Sequence, residues 1–230
     1  MTPASPERIV LVEDHSLFAE ALETTLVMKG YDAHRVPLTA GQTAAQLADA
    51  VLRLRPRTVL LDLDLGPFGS GLTIIKPLTT AGIDVIVVTA CSDRARWGEA
   101  VLAGARKVLA KNTPMSDVVA TIRRAAGGLP LMSDGDRQAL IREWRLRISE
   151  QQDLLARLAR LTPRESEVLS QLMVGCQVGE IAREFYVSES TVRTQVKSIL
   201  AKLQVSSQLA AVGLANRVGW SPRHSPRLVM

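Results

Sequence analysis

Short apolar runs alternate with amphipathic stretches across the first half of the chain. The runs are Ile9–Val12, Ala33–Val36, Val59–Leu63, Val85–Thr89 and Val108–Ala110. The first, third and fourth runs are continuously apolar, which predicts strands covered on both faces. The segments between the runs have helical spacing, as in Leu17–Met28, Ala44–Arg53 and Asp117–Ala125. This alternation predicts an α/β fold, a (βα)5 doubly wound parallel sheet.

The second half of the chain has only helical spacing. Gly127, Gly128 and Pro130 interrupt the pattern, and Asp136–Arg160 follows as a charged stretch without proline or glycine. Such a stretch predicts one long linker helix, and the residues after it predict an all-α domain. The expected parts are residues 7–126 for the α/β domain, 127–156 for the linker with its helix and 157–222 for the all-α domain.

An apolar seam follows the predicted linker helix. Its residues are spaced by three and four, with Gln151 as an interruption, and they are Ile141, Trp144, Ile148, Leu155 and Leu158. Heptad-like spacing is typical of a helix that packs against a partner helix. The seam therefore predicts a homodimer contact, and the alternative is that the same face docks on a domain of its own chain.

Composition and charge narrow the possible functions. Hydrophobic residues make up 47% and charged residues 22% of the 230 residues, which excludes a largely disordered chain. The longest apolar runs fall short of the roughly 20 residues of a membrane span, so we expect a cytoplasmic protein without membrane contact. Aromatic residues make up only 3%, which disfavours single-stranded nucleic acid because its bases stack on aromatic side chains. A net charge of +5, with eight basic and five acidic residues from Leu161 onward, fits double-stranded nucleic acid.

Reactive side chains occur at the predicted strand ends. The first run ends in Glu13 and Asp14, and the third carries Asp62. Thr89 ends the fourth run and Lys111 follows the fifth. Ligands bind at the carboxyl edge of such sheets, where converging carboxylates favour Mg²⁺. A lysine and a hydroxyl beside that ion suit a phosphoryl group.

The order of acid pair, Asp, Thr and Lys resembles the receiver domain of two-component response regulators over residues 7–126. The resemblance implies that a sensor histidine kinase transfers a phosphoryl group to the carboxylate of Asp62. It implies that Thr89 and Lys111 sense this group. The implied Mg²⁺ ligands are Glu13, Asp14, Asp62 and the backbone carbonyl of Asp64.

Two features depart from the receiver pattern and leave an alternative open. Pro67 stands one position late in the loop after Asp62, and Val108 occupies the place of the usual aromatic switch residue, preceded by Lys107. The first half could thus serve as a dimerisation module in a phosphorylation-independent DNA-binding regulator. The Asp62-Leu-Asp64 motif also resembles haloacid-dehalogenase-type phosphatases. In those enzymes, however, this motif opens the fold and an acidic pair follows the lysine, whereas here the acidic pair comes first.

A short basic face is predicted on the helix after Ser188. Val192, Val196, Ile199, Leu200 and Leu203 fall within one helical arc. The opposite arc carries Ser190, Thr194, Lys197 and Ala201, with Arg193 at its flank. Side chains of these types can enter the major groove of duplex DNA, where cationic groups meet guanine edges or phosphates.

Motifs around this helix are similar to the LuxR-type four-helix DNA-binding domain over about residues 157–220. They are Leu161-Thr-Pro-Arg-Glu-Ser-Glu-Val-Leu, Val187-Ser-Glu-Ser-Thr-Val-Arg and Ile199-Leu-Ala-Lys-Leu. The resemblance implies a helix-turn-helix over Val178–Lys197 and a last helix, Gln208–Val218, that pairs with a second copy on DNA. The implied DNA contacts are Ser190, Thr191, Arg193, Thr194 and Lys197. The two resemblances together imply a transcription regulator rather than an enzyme, with phosphorylation controlling dimerisation and promoter binding.

Overall fold

The computed structural model describes residues 6–221, so the predicted boundary at residue 222 lies outside the described residues. The chain divides into two compact units, Met1–Leu146 and Arg147–Met230. Over residues 6–221, no single helix is both long and apolar enough to cross a membrane, although Glu189–Leu203 and Gln208–Arg217, bent by 54°, meet that test as a pair. The predicted domain limits stay a prediction.

A five-stranded parallel sheet forms the centre of the first unit, in the order β2-β1-β3-β4-β5. The strands are β1 Arg8–Val12, β2 Asp32–Arg35, β3 Thr58–Leu61, β4 Asp84–Thr89 and β5 Lys107–Ala110. In the register, Val12 lies opposite Leu61, which lies opposite Val87. The parallel sheet confirms the predicted α/β class. Because all strands run in the same direction, their carboxyl ends meet at one edge of the sheet.

Helices cover both faces of this sheet. They are α1 Ser16–Met28, α2 Ala44–Arg53, α3 Leu72–Thr80, α4 Arg94–Ala103 and α5 Met115–Ala126. Ile9 and Leu11 of β1 pack in an apolar cluster with α1 and α5. Val10 and Val12 point to the opposite face and pack in a cluster with α2, α3 and α4. This alternation along one buried strand is why the run is apolar at every position.

The linker helix, α6 (Asp134–Leu158), contributes to both units because their division falls within it. Ile141 is buried in the cluster that contains α4, and Leu158 is buried in the core of the second unit. Leu155 is 43% exposed, and Trp144 and Ile148 are half-buried. The partner-helix hypothesis therefore rests on these last three residues and stays a prediction.

Between the end of α6 and residue 221, the second unit contains four helices. They are α7 Pro163–Met173, α8 Val178–Glu184, α9 Glu189–Leu203 and α10 Gln208–Arg217. Thr162 caps α7 as the sequence predicts, in a capping box with Glu165. The inner arc of α9 is buried at Val192, Val196, Ile199 and Leu203. The all-α class of this half is confirmed.

Candidate functional site

Acidic side chains meet where β1 and β3 end. Asp62 directly follows β3, its backbone N–H donates to the carbonyl of Val12 at 2.9 Å, and the residue is only 3% exposed. Glu13 and Asp14 follow β1, and one ligand atom from each of these acids and from His15 lies within 4.8 Å of the others. A set dominated by carboxylate oxygens fits a hard divalent cation.

Lys111 bridges the buried carboxylates. Its Nζ lies 2.7 Å from Glu13 and 2.7 Å from Oδ2 of Asp62. Burial alone would lower the pKa of Lys111, but hydrogen bonds to Asp62 and Glu13 outweigh burial, and the pKa lies above its usual value. Lys111 is therefore a cation beside the Asp62 carboxylate, where it can balance negative charge on an oxygen-rich group.

Thr89 ends β4 beside Lys111. It is fully buried, its Oγ1 accepts the backbone N–H of Cys91 at 3.2 Å, and its carbonyl accepts the backbone N–H of Lys111 at 2.8 Å. Thr89 and Lys111 line a cavity of about 470 Å³ together with Cys91 and Trp97. Thr89 and Lys111 therefore border one space.

The loop after Asp62 accommodates the displaced proline with a glycine. Pro67 lies in a short 3-10 turn, Gly66–Phe68, and Gly66 has a φ of +54°. A Cβ at Gly66 would lie 2.7 Å from Oδ2 of Asp14. Only glycine avoids both the backbone strain and this close contact. The reshaped loop therefore still allows Asp14 to reach the acidic cluster.

Asp64 approaches the site through its backbone. Its N–H donates to Oδ1 of Asp62 at 3.2 Å, whereas its carboxylate pairs with Arg96 of α4. The predicted role of the Asp64 carbonyl as a metal ligand stays a prediction. Arg96 was not predicted, because α4 carries two arginines, Arg94 and Arg96, and only the fold shows which of them reaches Asp64. His15 was also missed, although its position next to the acid pair was a usable signal.

The position of the usual aromatic switch residue is aliphatic and buried. Val108 is 7% exposed and packs in the cluster with α4. Lys107 donates from Nζ to the carbonyl of Leu131 at 2.9 Å. Val108 contributes packing and Lys107 a contact with a backbone carbonyl. Position 108 therefore has no aromatic ring that could couple to Thr89.

The predicted outer face of α9 is open. A short turn at Tyr186 joins α8 to α9, closed by the Val187 N–H donating to the Ala182 carbonyl at 3.0 Å. Ser188 then caps α9 and accepts the N–H of Thr191. The five predicted contact residues are all exposed: Ser190, Thr191, Arg193, Thr194 and Lys197. A helix presented in this way by a helix-turn-helix fits a major groove.

Glu165 ties α7 to α9 from inside the second unit. It is 6% exposed, and its carboxylate accepts hydrogen bonds from Ser198 and Lys202, each at 2.6 Å. Burial raises the pKa of Glu165, but the bonds from Lys202, Ser198 and Thr162 outweigh it and lower the pKa to about 2. Lys202 is therefore engaged within the domain, unlike the exposed Lys197.

Two family models match the chain. The one described as the response regulator receiver domain covers residues 9–123, and the one described as bacterial regulatory proteins, luxR family, covers residues 159–215.

Curated relatives and a solved structure align over most of the chain. The nitrate/nitrite response regulator protein NarP of Escherichia coli is 30% identical over 92% of this chain and 95% of its own length. The transcriptional regulatory protein DesR of Bacillus subtilis is 26% identical over 92% of this chain and 98% of its own length. RcsB from Salmonella enterica serovar Typhimurium, in its structure bound to promoter rprA, is 21% identical in sequence. The alignment covers 92% of this chain and 99% of that chain, with a TM-score of 0.47.

Proposed function

Because the chain belongs to the DNA-binding response regulators that join a receiver domain to a LuxR-type domain, we propose that a sensor histidine kinase phosphorylates it on Asp62. The observation that carries this proposal is the buried Asp62 carboxylate, which lies 2.7 Å from the ammonium of Lys111. Phosphorylation then controls homodimerisation and promoter binding. We assign the receiver to residues 7–126 and the DNA-binding domain to residues 157–222, and we place the protein in the cytoplasm, as this family implies.

The site residues have distinct roles in the proposed transfer. An oxygen of Asp62 bonds to phosphorus, and the bond from phosphorus to the donor histidine nitrogen breaks with its electron pair. Lys111 balances charge on the transferred group, and Thr89 donates a hydrogen bond to one of its oxygens. Glu13, Asp14, Asp62 and the carbonyl of Asp64 would hold Mg²⁺, which offsets charge on the phosphoryl oxygens when bound.

We expect a small phosphodonor to modify the wild-type protein once. Incubation with acetyl phosphate and Mg²⁺ should add about 80 Da in intact-mass spectrometry, because the carboxylate becomes an acyl phosphate. Asp62→Asn should show no added mass, since its side chain lacks the nucleophilic oxygen. Glu20→Gln, an exposed acid on α1, is the control and should be modified like the wild type.

A second candidate is favoured by Val108 and Lys107, which replace the residues of the usual aromatic switch. In it, the receiver is a constitutive dimerisation module and DNA binding is independent of phosphorylation. Two results would support this candidate instead: a folded, Mg²⁺-supplied wild-type protein that gains no mass, or Asp62→Asn with unchanged promoter control.

For the DNA-binding half, we expect Lys197→Ala to weaken promoter binding. Its exposed ammonium on α9 would contact phosphates or guanine edges, so its removal should cost roughly 1–3 kcal/mol. If the contact is to a phosphate, the slope of log affinity against log salt should fall by about one. The measurement is fluorescence anisotropy at several salt concentrations.

Lys76→Ala is the charge-matched control for this experiment. Lys76 is exposed on α3 of the first unit, so its removal lowers the net charge equally without changing the α9 face. Equal affinities of Lys197→Ala and the wild type at every salt concentration would contradict the assignment of this face.

A further inference from the structure

Arg96 links two loops at the edge of the candidate phosphoacceptor site. Its guanidinium makes a two-point contact with Asp64, at 3.0 Å to Oδ2 and 2.8 Å to Oδ1. The same side chain reaches the sulfur of Cys91, with Nη1 at 3.6 Å. Asp64 follows β3 and Cys91 follows β4, so Arg96 spans from one loop to the other.

Both loops also touch the reactive groups through their backbones. The N–H of Asp64 donates to Asp62 at 3.2 Å, and the N–H of Cys91 donates to the Thr89 hydroxyl at 3.2 Å. Residue 64 therefore borders the nucleophile, and its side chain is a carboxylate. A carboxylate in that position is suited to orient a water molecule toward a phosphoryl group on Asp62.

The contact with Arg96 occupies both oxygens of this carboxylate. Two-point guanidinium–carboxylate pairs are stronger and more directional than single ion pairs. The hydrogen bond from Arg96 to Asp64 raises the pKa of the guanidinium, so Arg96 stays cationic. With the pair formed, the side chain of Arg96 is 28% and that of Asp64 57% exposed, so Arg96 fixes the direction of the Asp64 carboxylate rather than shielding it from water.

We propose that Arg96 is a positioning residue that prolongs the lifetime of the phosphoryl group on Asp62, because it keeps the Asp64 carboxylate from orienting the hydrolytic water. This inference rests on the proposed phosphorylation of Asp62. In the hydrolysis, the water oxygen bonds to phosphorus and the bond between phosphorus and Asp62 breaks. The electron pair of the broken bond returns to the Asp62 carboxylate, and both water protons leave with inorganic phosphate.

The test measures how long the added mass persists. Full-length protein is phosphorylated with acetyl phosphate and Mg²⁺, the donor is removed, and loss of the phosphoryl mass is followed by intact-mass spectrometry. We expect Arg96→Ala to hydrolyse roughly fivefold faster than the wild type, below the full effect of a firmly held general base because Asp64 is half-exposed. Arg96→Lys should lie between the two, since lysine makes only a point contact.

A double variant distinguishes this role from a merely structural one. Arg96→Ala combined with Asp64→Ala should lose most of the acceleration seen in Arg96→Ala, because alanine has no oxygen to orient water while the backbone carbonyl of residue 64 is kept. Arg94→Ala is the matched control on the same helix, since Arg94 pairs with Glu143 rather than with Asp64, and its rate should match the wild type.

The outcomes separate this inference from the function on which it rests. A wild-type protein that gains no phosphoryl mass contradicts both. If the wild type is phosphorylated but Arg96→Ala loses the group at the same rate or more slowly, the role of Arg96 is refuted and phosphorylation of Asp62 stands. The role of Arg96 is equally refuted if the double variant hydrolyses as fast as Arg96→Ala.

Discussion

Replacing Gly98 with alanine is expected to push the first part of α6 away from α4 and to lower the free energy of unfolding by about 2 kcal/mol. A Cβ at Gly98 would lie 2.1 Å from the carbonyl oxygen of Leu140 and 2.9 Å from Cβ of Trp144. The carbonyl of Leu140 and the Cβ of Trp144 cannot move away unless α6 itself moves, because neither belongs to a flexible side-chain end. The loss should appear even though alanine favours the helix by about 1 kcal/mol over glycine.

Urea unfolding of the full-length protein measures this loss, and hydrogen exchange of the α6 amides locates it. Weaker protection near Leu140 is expected, because the contacts of Glu143 with Arg94 and of Arg137 with the Val101 carbonyl hold the same helix on α4. Gly135→Ala is the control, since its nearest contact would be Ser133 Oγ at 3.8 Å. A Gly98→Ala protein with unchanged stability and exchange would disprove the tight contact.

Glu165→Gln is expected to destabilise the DNA-binding domain by roughly 3 kcal/mol at pH 7, the free-energy equivalent of lowering the pKa of Glu165 from 4.5 to about 2. The amide cannot accept the same charge-assisted hydrogen bonds from Lys202 and Ser198. It also leaves the ammonium of Lys202 beside a neutral group. The loss should separate α7 from α9, the helix that presents the predicted DNA contacts.

This stability difference should depend on pH in a defined direction. The pKa of Glu165 is lower in the folded than in the unfolded protein, so its contribution is complete above the unfolded value of 4.5. It declines as the pH falls from 4.5 and vanishes near the folded value of about 2. Wild type and Glu165→Gln should therefore converge in acid and differ most near neutral pH.

Urea unfolding between pH 2 and pH 7 tests this expectation, with Glu167→Gln as the control. Glu167 lies on the same helix, but its side chain is 53% exposed and pairs with Arg164 at the surface. Its replacement should cost less than about 1 kcal/mol at any pH. A constant difference between Glu165→Gln and the wild type across this range would contradict the assigned hydrogen bonds.

The candidate site was predictable only in part from the sequence. The sequence predicts that Asp62, Thr89 and Lys111 lie close together, because parallel strands place their carboxyl ends at one edge of the sheet. Arg96 could not, because a helix face can be assigned by periodicity whereas the partner of one long side chain depends on three-dimensional packing. Nothing in the sequence signalled the role of Gly98 either. A glycine within a helix indicates only a lower helix stability until the structure shows which residue packs against it.

The sequence by itself determined the secondary structure, the α/β and all-α classes of the two halves and the family to which the chain belongs. Those features depend on local periodicity, capping residues such as Thr162 and Ser188, and motifs that keep their order along the chain. Tertiary structure decided which charged groups form ion pairs: Asp64 with Arg96, and Glu165 with Lys202. It also decided that Ile141 and Leu158 are buried within the chain. These outcomes rest on contacts between residues distant in sequence, which no local pattern encodes.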